Sequence, residues 1–91
     1  MADKAQSPDL ASFRNSIKQI VSRISRIDIA ELQDHVKVRE ELDIDSLMSM
    51  EIIAACEKQL NLRIDETIAA DAVTVGDFLE LMEKIRRSQM R

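Results

Sequence analysis

The chain has 91 residues, is 45% apolar and carries a net charge of −4; this suffices for one small packed domain and is too short for two. A single Gly, a single Pro and only two aromatic residues, both Phe, exclude a turn-rich β-sandwich or barrel, so an all-α domain with a core of Ile, Leu, Val, Met and Ala is expected. One Cys and one His exclude an internal disulfide framework, a Cys-rich zinc site and a His-based catalytic set.

Residues 1–7 are polar and are expected to form a disordered tail. Ser7, Pro8 and Asp9 supply an N-cap candidate, a proline suited to the first helical position and a first-turn acid. Leu10, Phe13, Ile17, Ile20 and Ile24 follow at spacings of three and four, which predicts an amphipathic helix of about four turns. Over residues 25–45 the helical period is lost, although apolar residues keep recurring. A long loop pinned onto a core is expected there, with room for a short helical turn. A second helix is predicted over residues 46–60, with Leu47, Met50, Ile53, Ala54 and Leu60 as its inner face. A short helix is expected between residues 65 and 72. Thr74 with Asp77 three residues on forms a capping box and opens a last helix carrying Val75, Phe78, Leu79, Met82 and Ile85. That helix is expected to fray into a basic end. The folded domain is placed at residues 8–87, with a disordered tail over 88–91.

Charge is unevenly distributed. Residues 1–26 carry five basic and two acidic groups, a net of +3; residues 27–72 carry four and twelve, a net of −8; residues 73–91 carry four and three, a net of +1. The acidic middle repels nucleic-acid phosphates and attracts a basic partner surface, so no nucleic-acid role is expected. The longest apolar run, residues 52–56, is far too short for a membrane span, and "MADKAQSPD" lacks the apolar core of a secretory signal. A soluble, cytoplasmic protein without membrane insertion is expected.

The chemistry concentrates at the start of the second helix. Asp43 and Asp45 do not open a calcium loop, because Leu47, Met48 and Ala54 occupy its fifth, sixth and twelfth places. Cys56, flanked by Ala55 and Glu57, reads as a buried structural thiol, and His35 as a surface residue. No metal site is expected. Ser46 stands apart from these. A helix N-terminus offers unpaired N–H groups and partial positive charge, which stabilise an attached phosphate. Asp45 is an N-cap candidate and a carboxylate placed to help hold a metal ion during phosphoryl transfer. The expected inward anchor is Leu47, which leaves Ser46 facing out. Simple capping by Asp45 or Ser46 remains open beside this reading, since both residue types favour that position.

The stretch "LDIDSLMSMEIIAACEKQL" resembles the signature of acyl carrier proteins, the phosphopantetheine-dependent carriers, in which Asp-Ser-Leu opens the second helix of a four-helix bundle. Upstream, Val38, Arg39, Glu40, Glu41 and Leu42 resemble the family's hydrophobe, acidic pair and Leu. Downstream, Glu51, Leu60, Ile64 and the Thr74-Val75 pair fall at matching places, so the resemblance covers roughly residues 10–86. It implies a carrier and not an enzyme. A phosphopantetheinyl transferase would draw on coenzyme A and Mg²⁺ to attach 4′-phosphopantetheine covalently to Ser46, with Asp45 assisting. The arm would then hold acyl groups as thioesters. Leu47, Met48, Met50, Glu51 and Glu57 are the implied partner-binding residues. The implied partners are acyl-loading and condensing enzymes (a ketosynthase, an acyltransferase or a ligase), met by a monomeric carrier.

Three positions depart from the family pattern. Asp43 stands where the family commonly has Gly, and Asp tolerates positive φ better than most residues. Met48 and Lys58 stand where fatty-acid carriers often have acids, which makes the docking face more apolar and points to a specialised pathway such as polyketide or other secondary-metabolite assembly. An aminoacyl carrier (peptidyl or D-alanyl) and a plain helical interaction module, with Ser46 only a cap, are the alternative readings.

Overall fold

The computed structural model describes residues 6–89, and their side chains from residue 11 onward. In chain order it contains α1 (Gln6–Ser25), a 3₁₀ turn (Ile29–Glu31), α2 (Ser46–Leu60), α3 (Glu66–Ala70) and α4 (Val75–Gln89). Among the described residues there is no β-strand, only an isolated antiparallel bridge between Lys37 and Thr74. The expected four-helix, all-α architecture with a long first loop and a short third helix is what the chain adopts. None of the described helices is long and apolar enough to cross a membrane.

The stripe on α1 buries as its spacing requires: Phe13, Ile17 and Ile20 enter the core, joined by Val21. The helix starts at Gln6, so Ser7 and Pro8 lie inside its first turn and Ser7 is not the cap. The side chain of Leu10 and residues 1–5 of the expected tail lie outside the described residues. At the other end α4 continues through Gln89, past the expected fraying point. Its last side chain is tied down: the Arg63 N–H donates to Gln89 Oε1 at 3.0 Å, and Gln89 Nε2 donates to the Arg63 carbonyl at 2.7 Å.

The inner face of α2 differs from the expected one. Ile52, Ile53 and Cys56 are buried, with Met48, Ala55 and Leu60 partly buried against them. Leu47 and Met50 are 68% and 50% exposed, and Ala54 is exposed too. Met48, Ile52 and Cys56 follow at i, i+4 and i+8, one stripe of the helix. Of the expected face, Ile53 is buried and Leu60 packs against the core, whereas Leu47, Met50 and Ala54 are exposed and Met48, Ile52 and Cys56 take their place. Each such side chain contributes about 1.5–3 kcal/mol when removed from water.

The connection between α1 and α2 is held at many points. Leu32 and Ile44 are buried, and Val36, Val38 and Leu42 pack against the core. Its backbone is stitched to the entry of α4: Val38 N–H donates to the Val73 carbonyl, Val75 N–H to the Val36 carbonyl and Gly76 N–H to the Asp34 carbonyl, each at 2.9 Å. Here the sole glycine matters. A Cβ on Gly76 would sit 3.0 Å from the Asp34 carbonyl oxygen, closer than ordinary contact allows. The Thr74–Asp77 capping box forms in both directions, at 3.0 and 3.2 Å.

Candidate functional site

The backbone leading into α2 is fixed residue by residue. Leu42 packs on the core and Ile44 is 2% exposed. Between them Asp43 takes the left-handed conformation, φ 58°, which non-glycine residues rarely adopt and which Asp tolerates better than most. The backbone here does take the positive φ for which Asp is a tolerated substitute for Gly. The Ile44 N–H then donates to the Val38 carbonyl at 3.1 Å, closing the turn.

Asp45 follows in extended geometry as the N-cap of α2, its Oδ1 accepting from the Met48 N–H at 2.8 Å. The Asp45 carbonyl accepts the first helical bond, from the Ser49 N–H, at 2.9 Å. One of the orphan amides of the first turn is thereby satisfied. The amides of Ser46 and Leu47 face no protein acceptor among the described residues. Ser46 is exposed, at the first position of the helix, and its Oγ accepts from Arg39 Nη2 at 3.3 Å. The capping group and the outward hydroxyl thus belong to different residues: the Asp45 carboxylate caps, and the Ser46 hydroxyl is left outward. Together the residues present an exposed nucleophile beside open amides, a carboxylate one residue away and one guanidinium. That donor set fits a phosphate ester on Ser46.

Of the expected partner-facing residues, Leu47, Met50 and Glu51 share one exposed face of α2 at i, i+3 and i+4. Met48 is turned toward the core instead. Glu57 is half-buried and its Oε2 accepts from the Ile64 N–H at 2.8 Å, so its carboxylate serves the bend after α2. Two further exposed hydrophobes, Ile68 on α3 and Val73 before α4, lack the helical spacing that would have marked them in the sequence. The four helices and the long loop enclose a cavity of about 50 Å³, lined by Ile17, Ile53 and Leu79 and also by Arg39, Leu42 and Ser49. It is apolar and has room for a few water-sized groups.

Cys56 is fully buried, and desolvation pushes its thiol up to about 12; it takes no part in the site. Among the described residues no group of three or more His, Cys, Asp or Glu side chains is placed to hold a metal ion.

The phosphopantetheine attachment site family matches residues 15–82. The chain is 29% identical over 69 residues to polyketide-8 synthase acyl carrier protein 2 of Streptomyces avermitilis, covering 76% of this chain and 79% of that one. It is 29% identical over 76 residues to the acyl carrier protein of Shigella flexneri, covering 84% and 97%. It is also 31% identical over 81 residues to the non-reducing polyketide synthase dbaI of Emericella nidulans, covering 89% of this chain but 3% of that protein. A helical bundle with a fixed, outward serine at the head of α2 and a match of this extent define a carrier protein: the chain belongs to the acyl carrier protein family, whose domain is the attachment site for 4′-phosphopantetheine.

Proposed function

We propose that Ser46 is the residue modified and that the protein is an acyl carrier serving polyketide, fatty-acid or other secondary-metabolite synthesis. The observation that carries the reading is the division of labour at the head of α2. Asp45 takes the cap, which frees the exposed Ser46 hydroxyl beside two open amides.

In the modification Ser46 Oγ forms a bond to phosphorus as the pyrophosphate bond of coenzyme A breaks. Adenosine 3′,5′-bisphosphate leaves and the hydroxyl proton passes to a base of the transferase. When bound, 4′-phosphopantetheine supplies the thiol on which acyl groups are carried as thioesters. The residues of this chain orient and expose: Ile44 and Asp43 fix the turn, Asp45 stands one residue from the reacting hydroxyl and assists the transfer, and the open amides favour the new negative charge. Leu47, Met50 and Glu51 form the face on which a transferase and condensing or loading enzymes dock weakly enough to leave again. The protein acts in the cytoplasm as a monomer.

Intact mass after incubation with coenzyme A, Mg²⁺ and a promiscuous transferase tests this. A gain of one phosphopantetheine that is lost in Ser46→Ala is expected. No gain in the wild type with several transferases would overturn the carrier reading, and a gain that survives in Ser46→Ala would overturn the site. Mass spectrometry of protein from its producing cell then reads the cargo, acyl or aminoacyl.

A further inference from the structure

Arg39 is the cation at the modified hydroxyl, and among the described residues its sole recorded partner is Ser46 Oγ, 3.3 Å from Nη2. The acids around it are occupied elsewhere. Glu40 pairs with Lys37 Nζ at 3.4 Å, Glu41 Oε2 accepts from the Lys37 N–H at 3.4 Å, and Asp45 Oδ1 accepts from the Met48 N–H. A guanidinium carries five donors in a planar fork, and here one of them meets a neutral hydroxyl.

The backbone that carries Arg39 is held on both sides. The Val38 N–H donates to the Val73 carbonyl, its carbonyl accepts from the Ile44 N–H, and the Leu42 N–H donates to the Lys37 carbonyl at 3.2 Å. Arg39 also lines the apolar cavity together with Leu42 and Ser49. Its side chain therefore bridges the hydroxyl and the cavity mouth.

Resting on the assignment of Ser46, we propose that Arg39 is a positioning residue for the arm. Once Oγ is esterified, the guanidinium pairs with the phosphodiester and holds the first bonds of the arm over the cavity mouth. Esterification leaves Oγ an acceptor and places two non-bridging oxygens two bonds further out, on phosphorus, which share a single negative charge. The guanidinium fork then has a charged, two-oxygen partner in place of one hydroxyl, the arrangement in which Arg bonds are strongest. Because the pair is exposed, salt screens it. Lys in its place keeps the charge and loses the fork.

The test uses the full chain carrying the arm, with ³¹P NMR of the phosphodiester in wild type, Arg39→Gln and Arg39→Lys, at low salt and at about 1 M NaCl, where the screening length is about 3 Å. Expected are a wild-type resonance displaced from that of Arg39→Gln at low salt, convergence of the two at high salt, and an intermediate position for Arg39→Lys. A purely structural role would not move with salt in this way. Coincident wild-type and Arg39→Gln resonances at low salt overturn the proposal and leave the carrier reading standing. A wild type that takes up no arm at all overturns both. Circular dichroism of the unmodified variants verifies the fold, which the exposure of Arg39 leaves undisturbed.

Discussion

Arg14 on α1 and Glu83 on α4, 69 residues apart in sequence, form a two-pronged ion pair: Arg14 Nε donates to Glu83 Oε2, and Nη2 donates to Oε1 at 3.0 Å. Nη1 of the same arginine reaches Asp34 Oδ2 on the long loop at 3.5 Å. One side chain thus joins the first helix, the last helix and the loop that leads to Ser46. The hydrogen bonds from Arg14 hold the Glu83 carboxyl below its ordinary value of 4.5, against the opposing pull of desolvation. The same contact raises Arg14.

Since the folded-state value of Glu83 is the lower one, its stabilisation is fully present above about pH 4.5 and is lost as pH falls through the folded value. Glu83→Gln is expected to cost about 2 kcal/mol at pH 7, the order of a charged hydrogen bond. The gap to wild type should close as pH falls below the ordinary carboxylate range. Urea midpoints at pH 7, 5 and 3, with unchanged m-values, measure this. A gap that is constant across the series would rule out the ion pair as its source.

Asp43 occupies a left-handed position, φ 58°. Asp43→Gly removes the Cβ strain of about 1–2 kcal/mol and adds about 0.5–1 kcal/mol of unfolded-state entropy, so a net change within about 1 kcal/mol, on the stabilising side, is expected. Asp43→Val, β-branched at the same φ, should lose about 2 kcal/mol. The pair of urea midpoints checks the order Gly, Asp, Val. A Val variant as stable as wild type would show that the turn relaxes out of the left-handed region.

Asp45 has two roles that one substitution can separate. Asn caps helices as well as Asp does, whereas Ala costs about 1 kcal/mol. Asp45→Asn should therefore keep the thermal midpoint of the unmodified protein while slowing arm transfer by about tenfold or more, and Asp45→Ala should lower both. Transfer followed by intact mass, beside a thermal melt, separates the cap from the assistance. Equal transfer rates for Asn and Asp would remove Asp45 from the chemistry.

The start of α2 and the capping box of α4 were legible because their signals are local: Asp and Ser before an apolar run, Thr and Asp three apart. The left-handed backbone at Asp43 was suggested only by the Gly that the family commonly has there. Ile53 and Leu60 on the inner face of α2 were legible, but Leu47, Met50 and Ala54 are not part of it, since apolar residues line both sides of the helix and periodicity alone cannot choose between them. The choice is made chiefly by packing against α1, which is remote in sequence. The Arg39–Ser46 contact was equally unreadable, because it depends on a turn held by the backbone at residue 73. This reversal has a measurable consequence. Leu47→Ala should leave stability within about 0.5 kcal/mol, while Met48→Ala, losing a side chain packed against the core, should cost about 1–2 kcal/mol. Docking should respond in the opposite order, with Leu47→Ala raising the KM of a partner enzyme more than Met48→Ala does.

Cys56 supplies a probe of the core that none of the surface residues offers. Its side chain is fully buried, and burial pushes the thiol from 9.0 up to about 12. A group raised in the folded state contributes stability that is present below its unfolded value and lost as pH rises toward the folded one. The stability of wild type relative to Cys56→Ala should therefore hold up to about pH 9 and then fall by about 1.4 kcal/mol per unit toward pH 11, as the unfolded chain alone ionises. The same burial makes alkylation depend on opening of the fold. Iodoacetamide at pH 8 should label the native protein at least about 10³-fold more slowly than the urea-unfolded chain, given the usual open-state populations. Labelling of the native protein at the unfolded rate would mean that the packing of α2 against α1 opens easily, and that the serine it positions is not held in the fixed geometry described.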